Sequence, residues 1–157
     1  MNVFLRHDLV QRAHELRKGS TIIGLDHGSK TLGVAVSDTL WMTATALGTI
    51  QRKKFGADMQ QLHQMMQGRD IGGVILGLPR EMSGALGSRA QAVADYASHL
   101  ENYLGCCCLL WEERLTSAEA ERAMLQADLS RKKRAQKIDN HAAAIILQSA
   151  LDRIMYL

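Results

Sequence analysis

The first residue whose placement could support chemistry is Asp26. It follows a β-branched and apolar run at 21–25, and an acid at the end of a buried strand is costly unless it has a partner or a metal. Gly28 and Gly33 flank the turn that comes next, and they allow close backbone approach and a tight reversal. An ordinary hairpin in which Asp26 caps the turn has the same signature. Asp26 alone therefore indicates either a turn or a metal ligand.

Two more acidic positions follow later in the chain. Glu112 and Glu113 end the apolar run 106–111. Because adjacent strand residues point to opposite faces, one of them can face a cleft while the other meets solvent or Arg114. Asp139 begins the last apolar stretch, where an acid is also common as an N-cap or in the first helical turn. Each of these positions is ambiguous when taken singly.

Together, the three acidic positions predict a metal site. Ends of central strands and one helix can bring three carboxylates into one cluster, which would repel itself unless divalent cations were bound. Mg²⁺ or Mn²⁺ suits such a cluster, because these ions prefer hard oxygen ligands and complete their shells with water and substrate phosphate. Two ions about 4 Å apart can activate a water and stabilise the leaving oxygen in phosphodiester hydrolysis.

A basic segment lies just before Asp139. The chain carries a net charge of +3, and five positive charges fall within seven residues of this segment. They are Arg131, Lys132, Lys133, Arg134 and Lys137. We predict a loop here, which is either a plain solvated loop or one that contacts the phosphates of a polyanion.

The periodicity of the chain predicts an α/β fold. Strands are expected at 21–25, 32–37, 43–50, 74–76 and 106–111, and helices at 55–67, 88–104, 116–126 and 139–154. The first three strands are closely spaced and should form antiparallel hairpins, whereas the rest alternate with helices. This order predicts a mixed five-stranded sheet with helices on both faces. We expect a helical N-terminal extension at 1–19 and a single domain at 20–157.

Composition narrows the class of protein. A chain of 157 residues has room for one domain, and it has no apolar run long enough for a membrane span. Charges interrupt its first twenty residues, so we expect no signal peptide. Cys106, Cys107 and Cys108 are consecutive, so they cannot converge on a metal as a CxxC pair would. We interpret them as small buried residues of a strand in a reducing compartment, and we expect a cytoplasmic protein.

Four ordered segments carry a resemblance to a known family. They read IIGLDHGSKTLGVAVSD, VILGLPREMSGALGSRAQAVADYA, WEERLTSAEAERAML and IDNHAAAIILQSALD. The chain resembles the YqgF (RuvX-type) family, whose members are described as Holliday junction resolvases and as pre-16S ribosomal RNA nucleases. The resemblance implies an RNase H-like fold and metal-dependent cleavage of nucleic acid. It matches Asp26, Glu113 and Asp139 to the family's acidic positions.

The sequence departs from the family pattern at a few places. His27 replaces the aromatic residue that commonly follows the first acid, and Glu112 replaces an aspartate. Arg80 and its neighbours stand where the family often has an Asn and an Asp. Gly77, Pro79 and Gly84 should shape a loop whose backbone N–H groups could meet phosphate, although a plain strand-to-helix turn has the same composition. The residues expected to bind nucleic acid are Lys30, Arg80, Arg114, Arg131, Lys132, Lys133, Arg134 and Lys137.

Several functions fit these features. The leading hypothesis is a nuclease that acts on structured RNA, at the 5′ end of the small-subunit ribosomal RNA precursor. Cleavage of branched DNA keeps the same chemistry, and it needs paired nicks and hence a homodimer. A non-catalytic RNA-binding assembly factor would keep the fold and the basic residues. An actin- or sugar-kinase-type ATPase needs two domains around its nucleotide, and the chain has length for one.

Overall fold

The structure is a computed structural model that describes residues 8–78, 88–112 and 131–157, with residues 131–140 described by their backbone. Its strands are β1 (Thr21–His27), β2 (Thr31–Ser37), β3 (Ala44–Gln51), β4 (Ile71–Leu78) and β5 (Cys108–Glu112). Its helices are α1 (Asp8–Arg12), which continues into a 3₁₀ turn (Ala13–Glu15), α2 (Phe55–Met65), α3 (Ser88–Leu104) and α4 (Arg131–Ile154).

The five strands form one mixed sheet in the order β3-β2-β1-β4-β5. β2 is antiparallel to both of its neighbours, whereas β1, β4 and β5 run parallel to one another. The predicted mixed sheet is therefore confirmed, including its antiparallel hairpins. Because parallel strands end at the same edge, the carboxyl ends of β1, β4 and β5 lie side by side.

Alternation along the strands divides the core into two layers. On one face of the sheet, Ile23 and Leu25 of β1 pack with side chains of α2 and α3. On the other face, Ile22 of β1 packs with α4 and with Leu9 of α1. Helices on both faces were predicted from the sequence, and the two clusters of buried residues confirm them.

α4 lies against β1 at Gly24. A Cβ atom at Gly24 would be 2.6 Å from Leu147 Cβ and 3.0 Å from the Ala143 carbonyl oxygen. No other residue fits this position without moving the helix, so Gly24 fixes how closely α4 approaches the central strand.

Some helices and strands have the predicted bounds, and others are longer than predicted. α3 covers the predicted range 88–104, and Gly105 beyond it has a φ of 70°, as expected after a helix C-terminus. β4 is longer than predicted, because Ile71 and Gly73 also pair with β1. The predicted helical extension at 1–19 is only partly covered, since residues 1–7 lie outside the described ranges. The predicted helix at 116–126 also lies outside them.

The prediction of a basic loop is wrong. The segment from Arg131 onward belongs to α4, which begins eight residues before the predicted start at Asp139. Arginine, lysine, alanine and glutamine all favour helix, and no glycine or proline interrupts 131–139. Asp139 is consequently neither an N-cap nor a first-turn acid. It lies well inside the helix.

The cysteines differ in part from expectation. Cys108 is buried in β5, whereas Cys106 and Cys107 precede the strand and are half-buried. All three are free thiols. Burial raises the pKa of Cys107 to about 11, so this thiol stays protonated at neutral pH. Within the described ranges, no helix combines the length and the apolar character that a bilayer span requires.

Candidate active site

Asp26 lies at the carboxyl end of β1, in the centre of the sheet. It is half-buried and pairs with Gly33 of β2. On the other side, Leu25 pairs with Leu76 of β4, so the register continued by one residue brings Asp26 beside Gly77. Both flanking positions lack side chains. Asp26 shares its face of β1 with Ile22 and Gly24, which is the face that α4 covers.

The direction of α4 determines where Asp139 lies. Gln148 accepts a hydrogen bond from the Ala44 amide and donates one to the Met42 carbonyl, at the start of β3. Ala44 pairs with Ser37, which bonds to the Ile22 amide, so this is the edge of the sheet where β1 also begins. α4 therefore runs from the Asp26 edge of the sheet toward the opposite edge. Asp139 precedes Ala143 by four residues, which is about 6 Å along the axis on the same side of the helix. Since Ala143 lies over Gly24, Asp139 is one turn nearer to the Asp26 edge.

β5 ends at the same edge. Trp111 Nε1 donates a hydrogen bond to Ser149 Oγ of α4 at 3.1 Å, which identifies the α4 face of β5. Glu112 pairs with Leu78 and is the last described residue of the strand. Glu113 and Arg114 lie outside the described ranges.

The turn after Asp26 is held by two arginines that the sequence did not indicate. The Gly28 amide donates to the Thr31 carbonyl at 2.8 Å and closes the turn. Arg52 Nη1 donates to the Gly28 carbonyl at 2.6 Å, and Arg89 Nη2 donates to the His27 carbonyl at 3.3 Å. Arg52 follows β3 and Arg89 begins α3, so only the topology brings them to this turn.

His27 is buried and packs rather than facing Asp26. Its ring lies 4.5 Å from the Tyr96 ring, on the α3 face of the sheet. Burial, followed by the charges of Arg52 and Arg89, lowers the pKa of His27 to about 4, so the ring is neutral near pH 7. Among the described residues, its Nδ1 atom has no hydrogen-bond partner.

The other predicted residues are distributed as follows. Lys30 is exposed in the β1–β2 turn. Pro79, Arg80 and Gly84 lie outside the described ranges. The basic residues Arg131, Lys132, Lys133, Arg134 and Lys137 occupy the first two turns of α4. The described part of the chain contains no group of three histidine, cysteine, aspartate or glutamate side chains that could hold a metal. That part does not include Glu113 or the side chain of Asp139.

The chain has many relatives. The family model RuvX, described as Holliday junction resolvase, matches residues 20–153. A protein of a Ruegeria species named "Putative pre-16S rRNA nuclease" is 48% identical over 92% of each chain. A protein of the same name from Novosphingobium aromaticivorans is 47% identical over 93% of this chain and 96% of its own. RuvC of T. thermophilus, solved with a Holliday junction substrate, aligns with 87% of this chain at 13% identity and a TM-score of 0.42.

The match to the family model and the identity to these relatives cover most of the chain. The mixed five-stranded sheet with helices on both faces is the α/β fold expected from the sequence. The chain belongs to the RuvX family.

Proposed function

We propose that this protein is a metal-dependent nuclease that hydrolyses phosphodiester bonds in the cytoplasm, in maturation of the 5′ end of pre-16S ribosomal RNA. Relatives that are nearly half identical to this chain over most of its length are named "Putative pre-16S rRNA nuclease". The observation that carries the proposal is the position of Asp26. It lies near the carboxyl end of the central strand between two glycine positions, on the face where α4 packs against Gly24.

We expect three carboxylates to bind Mg²⁺ or Mn²⁺ near Asp26. Asp26, Glu113 and Asp139 would hold the ions through carboxylate oxygens, the ligands that these ions prefer. Gly33 and Gly77, the positions beside Asp26 on the neighbouring strands, have no side chains that would compete with ions or a phosphate. When bound, the ions would activate a water molecule and stabilise the leaving oxygen.

The chain itself contributes positioning. Asp26 lies on a strand with hydrogen-bonded neighbours on both sides, which limits its movement. Lys30 is exposed in the turn that follows Asp26. The basic first two turns of α4 form the end of that helix that is nearer to Asp26. These cations would hold the substrate backbone across the site, because phosphate contacts fix register without reading sequence.

Replacement of Asp26 tests the chemistry. We expect Asp26→Asn to cut precursor RNA at least about a hundredfold more slowly than wild type with Mn²⁺, since losing an ion costs several kcal/mol of transition-state stabilisation. Asp152→Asn, at the far end of α4, is the matched control and should cleave at the wild-type rate. Equal rates for Asp26→Asn and wild type would rule out the carboxylate mechanism.

The same assay separates a non-catalytic assembly factor from a nuclease. A factor without turnover would tolerate Asp26→Asn and would lose function when the charges of Arg131–Arg134 are reversed. Salt-sensitive RNA binding without turnover at any divalent ion concentration would favour that function.

Branched DNA is the second candidate substrate, because the family model is described as a Holliday junction resolvase. Resolution requires two symmetric nicks and therefore a homodimer. Sedimentation with and without junction DNA distinguishes the substrates. A strict monomer in both conditions argues for RNA.

A further inference from the structure

A pocket with an aromatic lining opens at the surface between α2 and α3. Phe55, His99, Asn102 and Tyr103 line a volume of about 470 Å³. The Phe55 ring meets the Tyr103 ring edge-on at 5.8 Å and the His99 ring at 5.9 Å. Tyr103 keeps 51% of its surface exposed, so a large part of its aromatic surface is not used in packing.

Positive charge lies immediately beside this pocket. Lys53 and Lys54 are exposed and directly precede Phe55. Their backbone is held in place, because the Lys53 amide donates to the buried carboxylate of Asp58 at 2.9 Å, and the Asp58 amide donates to the Lys54 carbonyl at 3.0 Å. Aromatic surface next to cations is the combination that binds single-stranded nucleic acid, through stacked bases and neutralised phosphates.

The pocket is also connected to the Asp26 turn. The Phe55 ring lies 5.5 Å from the Tyr96 ring, which lies 4.5 Å from the ring of His27, the residue after Asp26. Arg52, one residue before Lys53, bonds to the carbonyl of Gly28. The pocket is therefore linked to the turn after Asp26 by buried rings and by Arg52, on the face of the sheet opposite to the Asp26 side chain.

We infer that the pocket of Phe55, His99, Asn102 and Tyr103 binds an unpaired base of single-stranded nucleic acid, with the neighbouring phosphates on Lys53 and Lys54. Tyr103 offers the stacking surface, and the Asn102 amide can hydrogen-bond a base edge. This inference deepens the proposed nuclease function by naming an unpaired segment as part of its substrate. Binding itself requires no cleavage.

The test is a binding titration of the full chain in EDTA, where a metal-dependent nuclease does not cleave. The probes are fluorescein-labelled oligoadenylate RNA, the DNA oligomer of the same sequence, and a blunt RNA duplex. We expect Tyr103→Ala to bind the single-stranded RNA about tenfold more weakly than wild type, the loss of one stacked base. Tyr103→Trp should restore binding. Tighter binding of the RNA or of the DNA oligomer shows whether the site prefers ribose or deoxyribose.

Tyr156→Ala is the matched control, since Tyr156 is 80% exposed near the C-terminus, outside the pocket. It should bind like wild type, and duplex binding should not change with Tyr103→Ala. Wild-type binding by a folded Tyr103→Ala variant, or equal losses in both tyrosine variants, would overturn the inference. If wild type does not cleave RNA with Mn²⁺ but still binds it in a manner that depends on Tyr103, the nuclease proposal is rejected and this inference stands.

The role of the lysines has a separate signature. Replacing Lys53 and Lys54 by glutamine should reduce the slope of log K against log salt by about 1.4, because two single-strand phosphate contacts are lost. Tyr103→Ala should leave the slope unchanged, and Lys18→Gln, near the start of β1, should do so too. An unchanged slope in the double variant would show that Lys53 and Lys54 do not contact the phosphates.

Discussion

At the residue scale, His27 is a histidine held in its neutral form next to the proposed metal ligand. It packs on Tyr96 in the layer under α3, where burial lowers its pKa to about 4. The unfolded ring takes up a proton near pH 6.5. The contribution of the neutral His27 ring to the free energy of unfolding is therefore complete above pH 6.5, and it is lost as the pH falls toward 4.

This pH dependence can be measured by urea unfolding. We expect the free energy of unfolding of wild type to fall by about 1–3 kcal/mol relative to His27→Phe between pH 6.5 and pH 4.5. Phenylalanine keeps the ring contact with Tyr96 and cannot be protonated. Parallel pH profiles for the two proteins would contradict the burial argument.

At the element scale, the approach of α4 to β1 sets the relation between Asp26 and Asp139. A methyl group on Gly24 would overlap Leu147 and the Ala143 carbonyl, so Gly24→Ala should push α4 outward. We expect a loss of about 1–3 kcal/mol in stability, together with a larger loss of nuclease activity than the unfolded fraction explains. Thermal unfolding and cleavage assays well below the melting temperature separate the two effects.

Gly56→Ala provides the matched control at this scale. A Cβ at Gly56, in the first turn of α2, would have no neighbour within 4 Å. This substitution should leave stability equal or slightly higher, because alanine is the better helix former. If Gly24→Ala also leaves activity at the wild-type level, the spacing between α4 and β1 does not control the site.

Elements were largely predictable from periodicity, whereas their ends and contacts were not. The hairpin strands and α3 follow from alternation and from Gly105, which ends the helix. The observed start of α4 differs from the prediction, because a run of like charges is typical of a solvated loop, although these residues are also good helix formers. Arg52 and Arg89 could not be assigned to the Asp26 turn, since they reach it only through the strand order.

At the scale of the whole molecule, the segment before β1 is packed into the domain. The family match begins at residue 20, but Leu9 and Leu16 are buried in the same cluster as α4. Leu16 also lies over Gly73, where a Cβ would meet its Cδ2 atom. The Arg17 guanidinium and the Asp70 carboxylate are exposed and form an ion pair at 2.6 Å, which should contribute little beyond register.

We therefore expect Leu16→Ala to lower the free energy of unfolding by about 2–5 kcal/mol, the usual cost of a cavity in a core. Leu40→Ala removes the same atoms from a side chain that is 79% exposed, and it should change stability by no more than about 0.5 kcal/mol. Urea unfolding of both variants decides the matter. Similar small changes would mean that residues 8–19 are an appendage, whereas the predicted difference would make them part of the layer that supports α4 and, through it, the candidate active site.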